Sequence, residues 1–145
     1  MNLKKIIKWS WFPILLLLVL AAWFYAPVTF LKDVPPERVA CIRVFDGNTG
    51  EKLEITGGEE IRHIVENLRS VRLRRSGISL LHAGYRFRMT FLDAEGGVLE
   101  ELTVNSETTI RRDPFFYTSE AGGLCYDYLW GLMDAEHGYI RAFAP

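Results

Sequence analysis

The longest apolar run of the chain lies near its N-terminus, where residues 9–31 contain no charged side chain. As an α-helix, a run of this length spans about 34 Å at 1.5 Å per residue, enough to cross a hydrocarbon core of roughly 30 Å. Aromatic residues at both ends of the run suit the headgroup depth at which such rings collect. The pattern therefore predicts one transmembrane anchor over residues 9–31.

Lysines precede this run, so residues 1–8 are predicted to be a basic tail in the cytoplasm. We therefore expect a single-pass protein of the cell membrane with its C-terminal domain outside. The alternative is a cleaved signal peptide, which would release a secreted protein. Small residues at 19–22 offer a cleavage site, whereas the aromatic residues at 23–25 and the apolar continuation to Leu31 favour a retained signal anchor.

Beyond the anchor, a proline-containing linker at 32–37 precedes one predicted domain over residues 38–145. Residues 38–45 alternate between apolar and polar, with Ile42 and Val44 on one face, which is typical of a strand. The turn sequence DGNTG and a second alternating segment follow directly. Together these segments predict a β-hairpin.

An amphipathic helix follows the hairpin, because acidic residues open it and apolar residues recur at helical spacing. These apolar residues are Ile61, Ile64, Val65 and Leu68. A final helix is predicted over residues 120–134. Beyond it lie three apolar tail residues that are expected to pack back on the domain, Tyr139, Ile140 and Phe143.

Between the two helices, apolar residues recur at every second position, which is typical of strands. One face of the segment from Tyr85 carries Phe87, Met89 and Phe91, and further alternating segments are separated by turn sequences such as DAEGG. The element order is ββαββββα, with room for one more short strand at 71–84. The predicted fold class is α+β, an antiparallel sheet with two helices packed on one face.

The run GYRFRMTFLDAEGG, then ELTVNS, then an aromatic hairpin and a C-terminal helix resembles small bacterial membrane-anchored exterior domains of unassigned function. The likeness covers residues 38–134 as a pattern of elements. It implies an α+β fold and a location in the cell envelope, and it implies no catalytic residue.

Charge narrows the choice of partner. The chain has 17 basic and 18 acidic residues, and residues 1–31 hold three lysines and no acid, so the remainder carries a net charge of −4. Such a domain is not built for nucleic acid. Arg43, Arg86 and Arg88 nevertheless fall on the same kind of sheet face and are candidates for binding an anionic envelope component. The alternative, favoured by the net charge, is cross-strand pairing with glutamates.

The two cysteines, Cys41 and Cys125, allow two interpretations. In an oxidising exterior they could form a disulfide that closes most of the domain into one loop. Alternatively, each is a small buried apolar side chain. No metal-ligand spacing surrounds either residue, and no cofactor motif is present.

Candidates for catalysis are scattered. His63, His82 and His137 lack ligand spacing and a nucleophile motif. The D-x-N-x-G sequence from Asp46 resembles the start of a calcium loop, but glycine stands where the twelfth-position acid is needed, so a hairpin turn is favoured. The predicted function is a non-enzymatic interaction module, with Tyr126 and Trp130 as a protein contact patch. The alternative is a hydrolase-type enzyme with a site assembled from scattered histidines and carboxylates.

Overall fold

The computed structural model describes residues 3–138, with side chains from Trp11 onward. Three helices and seven strands make up this part of the chain. The helices are α1 (Leu3–Tyr25), α2 (Gly58–Ser70) and α3 (Tyr126–His137), and a 3₁₀ turn covers Pro36–Arg38. The strands are β1 (Cys41–Asp46), β2 (Lys52–Ile55), β3 (Arg74–Ile78), β4 (Phe87–Leu92), β5 (Val98–Val104), β6 (Thr109–Arg112) and β7 (Phe115–Thr118).

All seven strands form one antiparallel sheet in the order β2-β1-β4-β5-β6-β7-β3. The element order is ββαβββββα, so the predicted order ββαββββα lacks one strand. The additional strand is β3, which pairs with β7 at the sheet edge although it precedes β4 in sequence. Its sequence RRSGI contains one large apolar residue, so it lacks the alternation by which strands are predicted.

The core lies on one face of the sheet. Ile42 and Val44 of β1 and Phe87, Met89 and Phe91 of β4 are buried there, as two-residue periodicity requires. Both domain helices contribute to the same hydrophobic cluster. Their buried residues are Ile61, Ile64, Val65 and Leu68 of α2 and Leu129 and Met133 of α3.

The N-terminal apolar run divides into two parts with different surroundings. Helix α1 ends at Tyr25, and Val28 then forms a backbone bridge with Leu73, with N–H···O distances of 2.7 and 2.9 Å. Phe30 and Leu31 are buried in the domain core, and Phe30 contacts the ring of Tyr117 edge-on at 5.0 Å. The end of the run is therefore part of the folded domain.

Across residues 3–138, no helix combines the length and the apolarity needed to cross a bilayer. This finding corrects the predicted fold class, in which residues 9–31 were a transmembrane anchor. It likewise corrects the single-pass topology, the membrane as partner, and the placement in the cell membrane with the domain outside. The chargeless run is not one helix: α1 also takes in the lysines of the tail, while Phe30 and Leu31 belong to the core.

The described part of α1 remains exposed on all sides. Leu15, Leu17 and Leu18, which point in different directions around the helix, are 60, 65 and 63% exposed. Only its C-terminal turn contacts the sheet: the rings of Trp23 and Phe24 lie 6.0 and 6.1 Å from Phe115. The segment predicted as a linker at 32–37 forms turns, and the tail residues Tyr139, Ile140 and Phe143 lie outside the described residues.

Candidate functional site

The sheet face opposite the core is lined by polar and charged side chains, and we call it the open face. Strand register places its members side by side: Phe45 opposite Arg88, Arg88 opposite Thr103, and Thr103 opposite Arg111. The open face contains a cavity of about 380 Å³. This cavity is lined by Tyr85, Arg88, Glu101, Leu102, Thr103, Arg111, Arg112 and Asp113.

Arg88 is the exposed guanidinium of this cavity. It lies over the ring of Tyr85, 4.2 Å from the centroid, and the Tyr85 ring in turn lies 6.0 Å from Phe45. Among residues 11–138, no carboxylate forms an ion pair with Arg88 and no acceptor takes a hydrogen bond from it. Stacking holds the guanidinium plane while its N–H groups stay available to a ligand.

Arg111 is held by the protein itself. Its Nε and Nη2 atoms lie 2.8 and 3.4 Å from the two carboxylate oxygens of Asp113, and Nη1 donates to the carbonyl oxygen of His82 at 2.8 Å. Asp113 also accepts a hydrogen bond of 2.6 Å from Ser79. The hydrogen bond from Arg111, followed by that from Ser79, lowers the pKa of the Asp113 carboxyl. The charge of Arg111 is therefore neutralised within the cavity wall.

Arg112 is paired as well. Its Nε atom lies 3.1 Å from the carboxylate of Glu100, and its guanidinium lies over Phe30 at 5.7 Å from the centroid. Glu101, by contrast, points to the cavity from β5, and no cation of the described chain forms an ion pair with it. After pairing, the cavity retains one positive group, Arg88, and one negative group, Glu101.

A second, apolar concavity adjoins the first. It has a volume of about 240 Å³ and shares Arg88 with the larger cavity. Phe45 provides apolar surface here, and Thr90 provides a hydroxyl. A ligand held at Arg88 can therefore place an apolar group against β1 and β2.

The three arginines predicted as an anion site do not act together. Arg43 lies on the open face, but its Nε atom is 2.9 Å from the Glu54 carboxylate, the cross-strand pairing given as the alternative. Arg86 precedes β4 and is not on the open face. Its Nη2 atom lies 3.2 Å from Oδ2 of the fully buried Asp46, and its guanidinium lies 4.5 Å from the Trp130 ring centroid. Only Arg88 keeps an available guanidinium.

Tyr126 and Trp130, predicted as a protein contact patch, are half-buried. Their rings lie 5.4 and 6.5 Å from the ring of Phe87, and Trp130 also contacts Arg86. They cover the core and the Arg86 side chain, so a large part of each ring already has a partner within the domain.

Both cysteines are free thiols, so the disulfide interpretation does not hold. Cys125 is buried before α3, and burial raises the pKa of its thiol to about 12. Cys41 is half-buried at the start of β1, where desolvation is the first cause that raises its pKa and Glu54 the second. The burial interpretation describes Cys125.

The histidines have separate partners. His63 packs on Tyr128 with centroids 4.2 Å apart, His82 lies edge-on to Phe116 at 5.1 Å, and His137 Nε2 lies 3.0 Å from the carbonyl oxygen of Lys52. Within the described chain, no three His, Cys, Asp or Glu side chains are grouped to hold a metal ion. The predicted hairpin turn is present, with Asp46 Oδ1 accepting from the backbone N–H of Asn48 at 2.9 Å.

Ser79, His82 and Asp113 meet near one edge of the sheet, which bears on the hydrolase alternative. Ser79 is fully buried, and its hydroxyl donates directly to the Asp113 carboxylate. The His82 ring packs on Phe116. A serine nucleophile needs an accessible hydroxyl that is hydrogen-bonded to a base such as imidazole. The Ser79 hydroxyl is buried and bonded to a carboxylate instead.

Sequence reasoning missed Tyr85, Glu101 and Thr103 as parts of one site. Tyr85 was assigned to the core face of a strand, whereas β4 begins two residues later. Glutamates such as Glu101 enter the sequence-based interpretation only as cross-strand partners of arginine. The available signal was the alternation in VLEELTV, which places Glu101 and Thr103 on one face.

No protein-family model, curated protein or solved structure matches this chain, and the likeness to small anchored bacterial domains stays a prediction.

Proposed function

We propose that this domain is a non-enzymatic binding module that takes a carboxylate-bearing ligand on its open face, with Arg88 as the anion receptor. One observation carries the proposal: Arg88 is stacked on Tyr85 at a cavity of about 380 Å³ and forms no ion pair with a carboxylate of the described chain. The neighbouring arginines of the cavity are neutralised by Asp113 and Glu100.

Carboxylate is the favoured anion because a guanidinium matches its two oxygens with two parallel N–H groups. The Thr103 hydroxyl lies on the strand position opposite Arg88 and offers a further donor. A dianionic phosphate suits the site less well, because Glu101 lines the same cavity and would repel the second charge.

The geometry also sets the scale of affinity. The cavity is open to water, so one charge-assisted contact and a small apolar contact support a Kd of about 1 mM, which is roughly −4 kcal/mol. Tighter binding would require a larger ligand that also uses the apolar concavity beside Phe45.

The test is an NMR titration of the ¹⁵N-labelled full chain, kept in a non-ionic detergent because α1 is apolar and exposed. N-acetyl-L-leucine is compared with N-acetyl-L-leucinamide, which differs only in lacking the carboxylate charge. We expect the acid to shift the Arg88 Nε–H signal and the amides of β4 and β5, and the amide to shift them at least tenfold more weakly. Inorganic phosphate at equal ionic strength is expected to bind more weakly than the acid.

The decisive variant is Arg88→Gln, which should abolish these shifts. Its matched control is Arg62→Gln, because Arg62 lies on α2, away from the open face, and forms only an exposed pair with Glu59. Shifts that survive in R88Q, or that disappear equally in R62Q, would contradict the proposal.

A further inference from the structure

We infer that the ligand of the open face is a small zwitterion of the α-amino-acid type, with its carboxylate on Arg88 and its ammonium group on Glu101. The inference rests on the proposed function, which supplies the carboxylate contact. It adds a second charged group to the ligand and assigns the residue that recognises it.

The first support is the charge remaining in the cavity. Each of the other charged side chains that line it already has an oppositely charged partner: Arg111 pairs with Asp113, and Arg112 with Glu100. Glu101 and Arg88 are left without an ion pair in the described chain. A ligand that carried only a negative charge would leave the Glu101 carboxylate uncompensated beside it.

The second support is strand register. Arg88 is paired with Thr103, and Thr90 with Glu101, so Arg88 and Glu101 are diagonal neighbours on adjacent strands. Diagonal positions lie about 7–8 Å apart and are within reach of one ligand held between long side chains. An α-amino acid carries its two charges on one carbon, so both can be met while the rest of the molecule stays free.

The third support is the position of apolar surface. The concavity beside Arg88 is lined by Phe45 and lies on the side of β4 that faces β1 and β2, whereas Glu101 lies on the β5 side. A zwitterion held between Arg88 and Glu101 can therefore direct a side chain towards Phe45. This arrangement favours an amino acid with an apolar side chain over glycine.

The experiment compares L-leucine with N-acetyl-L-leucine on the full chain in the same detergent, by NMR titration. Both carry the carboxylate, and only L-leucine carries the ammonium group. We expect L-leucine to bind about fivefold more tightly, the effect of one exposed ion pair worth about 1 kcal/mol. In Glu101→Gln this advantage should vanish, while the affinity for N-acetyl-L-leucine stays within twofold of the wild type.

Glu107→Gln serves as the matched control, because Glu107 lies in the β5–β6 turn and does not line the cavity. This variant should keep the preference for L-leucine. Equal binding of both ligands at Arg88 would overturn the zwitterion inference and leave the proposed function intact. If neither ligand binds in a way that R88Q abolishes, both the inference and the proposed function are overturned.

A competing arrangement has its own signature. If Glu101 folds onto Arg88 in solution and competes with ligands, E101Q will bind N-acetyl-L-leucine several-fold more tightly than the wild type, with no preference for L-leucine in either protein. That result would overturn the inference. The unfolding midpoint of E101Q, expected to match the wild type, separates these outcomes from a folding defect.

Discussion

The guanidinium of Arg75 lies 4.0 Å from the centroid of the Trp23 ring, and the same side chain donates a hydrogen bond of 2.8 Å to the Trp23 carbonyl oxygen. Carbonyl groups in the last turn of a helix have no intrahelical donor, so Arg75 satisfies one of them from β3. Phe115 on the adjacent strand completes the contact from the other side. Arg75 thereby joins helix α1 to the sheet edge.

Replacing Arg75 by Gln should loosen this junction. We expect a loss of about 1–2 kcal/mol in the free energy of unfolding, from the cation–π contact and the charge-assisted hydrogen bond. Chymotrypsin should cleave after Tyr25 several-fold faster than in the wild type. Arg72→Gln is the control, because Arg72 is an exposed arginine of the same segment and its replacement leaves the contact between Arg75 and Trp23 intact. Equal cleavage rates in R75Q and the wild type would contradict this role.

Arg86 and Arg88 are two residues apart, but their replacement should lower the free energy of unfolding to very different extents. Arg86→Gln leaves the buried Asp46 carboxylate without its cation and is expected to cost about 3 kcal/mol of unfolding free energy. Arg88→Gln removes an exposed guanidinium and should change stability by less than about 1 kcal/mol, the sum of a lost surface stacking contact and small surface effects. Urea denaturation of both variants measures the difference.

The double variant D46N/R86Q tests the cause of the Arg86 effect. If the unpaired charge of Asp46 is responsible, neutralising it should restore part of the stability lost in R86Q. A double variant that is less stable than R86Q by the full cost of D46N alone would show that the two residues act independently.

Asp113 should make the fold more sensitive to acid. Its folded-state pKa is lowered by hydrogen bonds from Arg111 and Ser79, so its contribution to stability is present above the unfolded pKa of about 3.9 and is lost as pH falls through the lower folded value. Wild type should therefore be more stable than Asp113→Asn at pH 7. The difference in unfolding free energy should shrink below about pH 4. A difference that stays constant with pH would show that Asp113 acts without its charge.

The two thiols should differ in reactivity. Cys125 is 4% exposed and its pKa is raised to about 12, so almost no accessible thiolate exists at pH 8. Cys41 is half-buried with a pKa raised to a lesser extent, and it should react slowly but first. Iodoacetamide should label one site per native chain and two in urea. Cys41→Ser should label only after unfolding, and native labelling of this variant would contradict the burial of Cys125.

Much of the sheet follows from local pattern. The alternation of Ile42 and Val44, and of Phe87, Met89 and Phe91, was sufficient to predict β1 and β4, because one face of each is buried. Strand β3 lies in the segment 71–84, for which one more short strand was allowed, but its bounds and its pairing were not predicted, because an edge strand next to α1 needs little apolar alternation. Its residues Arg75 and Gly77 are held by partners on β7 and α1 that lie far away in sequence.

The apolar run was misjudged for a related reason. Hydropathy indicates that Phe30 and Leu31 are buried away from water, but it does not distinguish a lipid bilayer from a protein core. Leu31 adopts a φ of 55°, which costs a non-glycine residue about 1–2 kcal/mol and which its burial in the core offsets. That conformation depends on tertiary packing, so local sequence could not indicate it.

The candidate site shows the same limit. Composition identified arginines on the sheet, but which of them is available depends on the carboxylate that lies opposite. Arg43 pairs with Glu54 through the hairpin register. Arg86 lies just before β4 and pairs with Asp46 at the end of β1. Arg88 remains available because its cross-strand neighbours are Phe45 and Thr103.

The bridge between Val28 and Leu73 and the Arg75 contact join α1 to the same sheet that carries Arg88. The helix and the cavity therefore belong to one sheet, and the helix is attached at its β3 edge. A partner that binds the exposed length of α1 will also orient the cavity relative to itself.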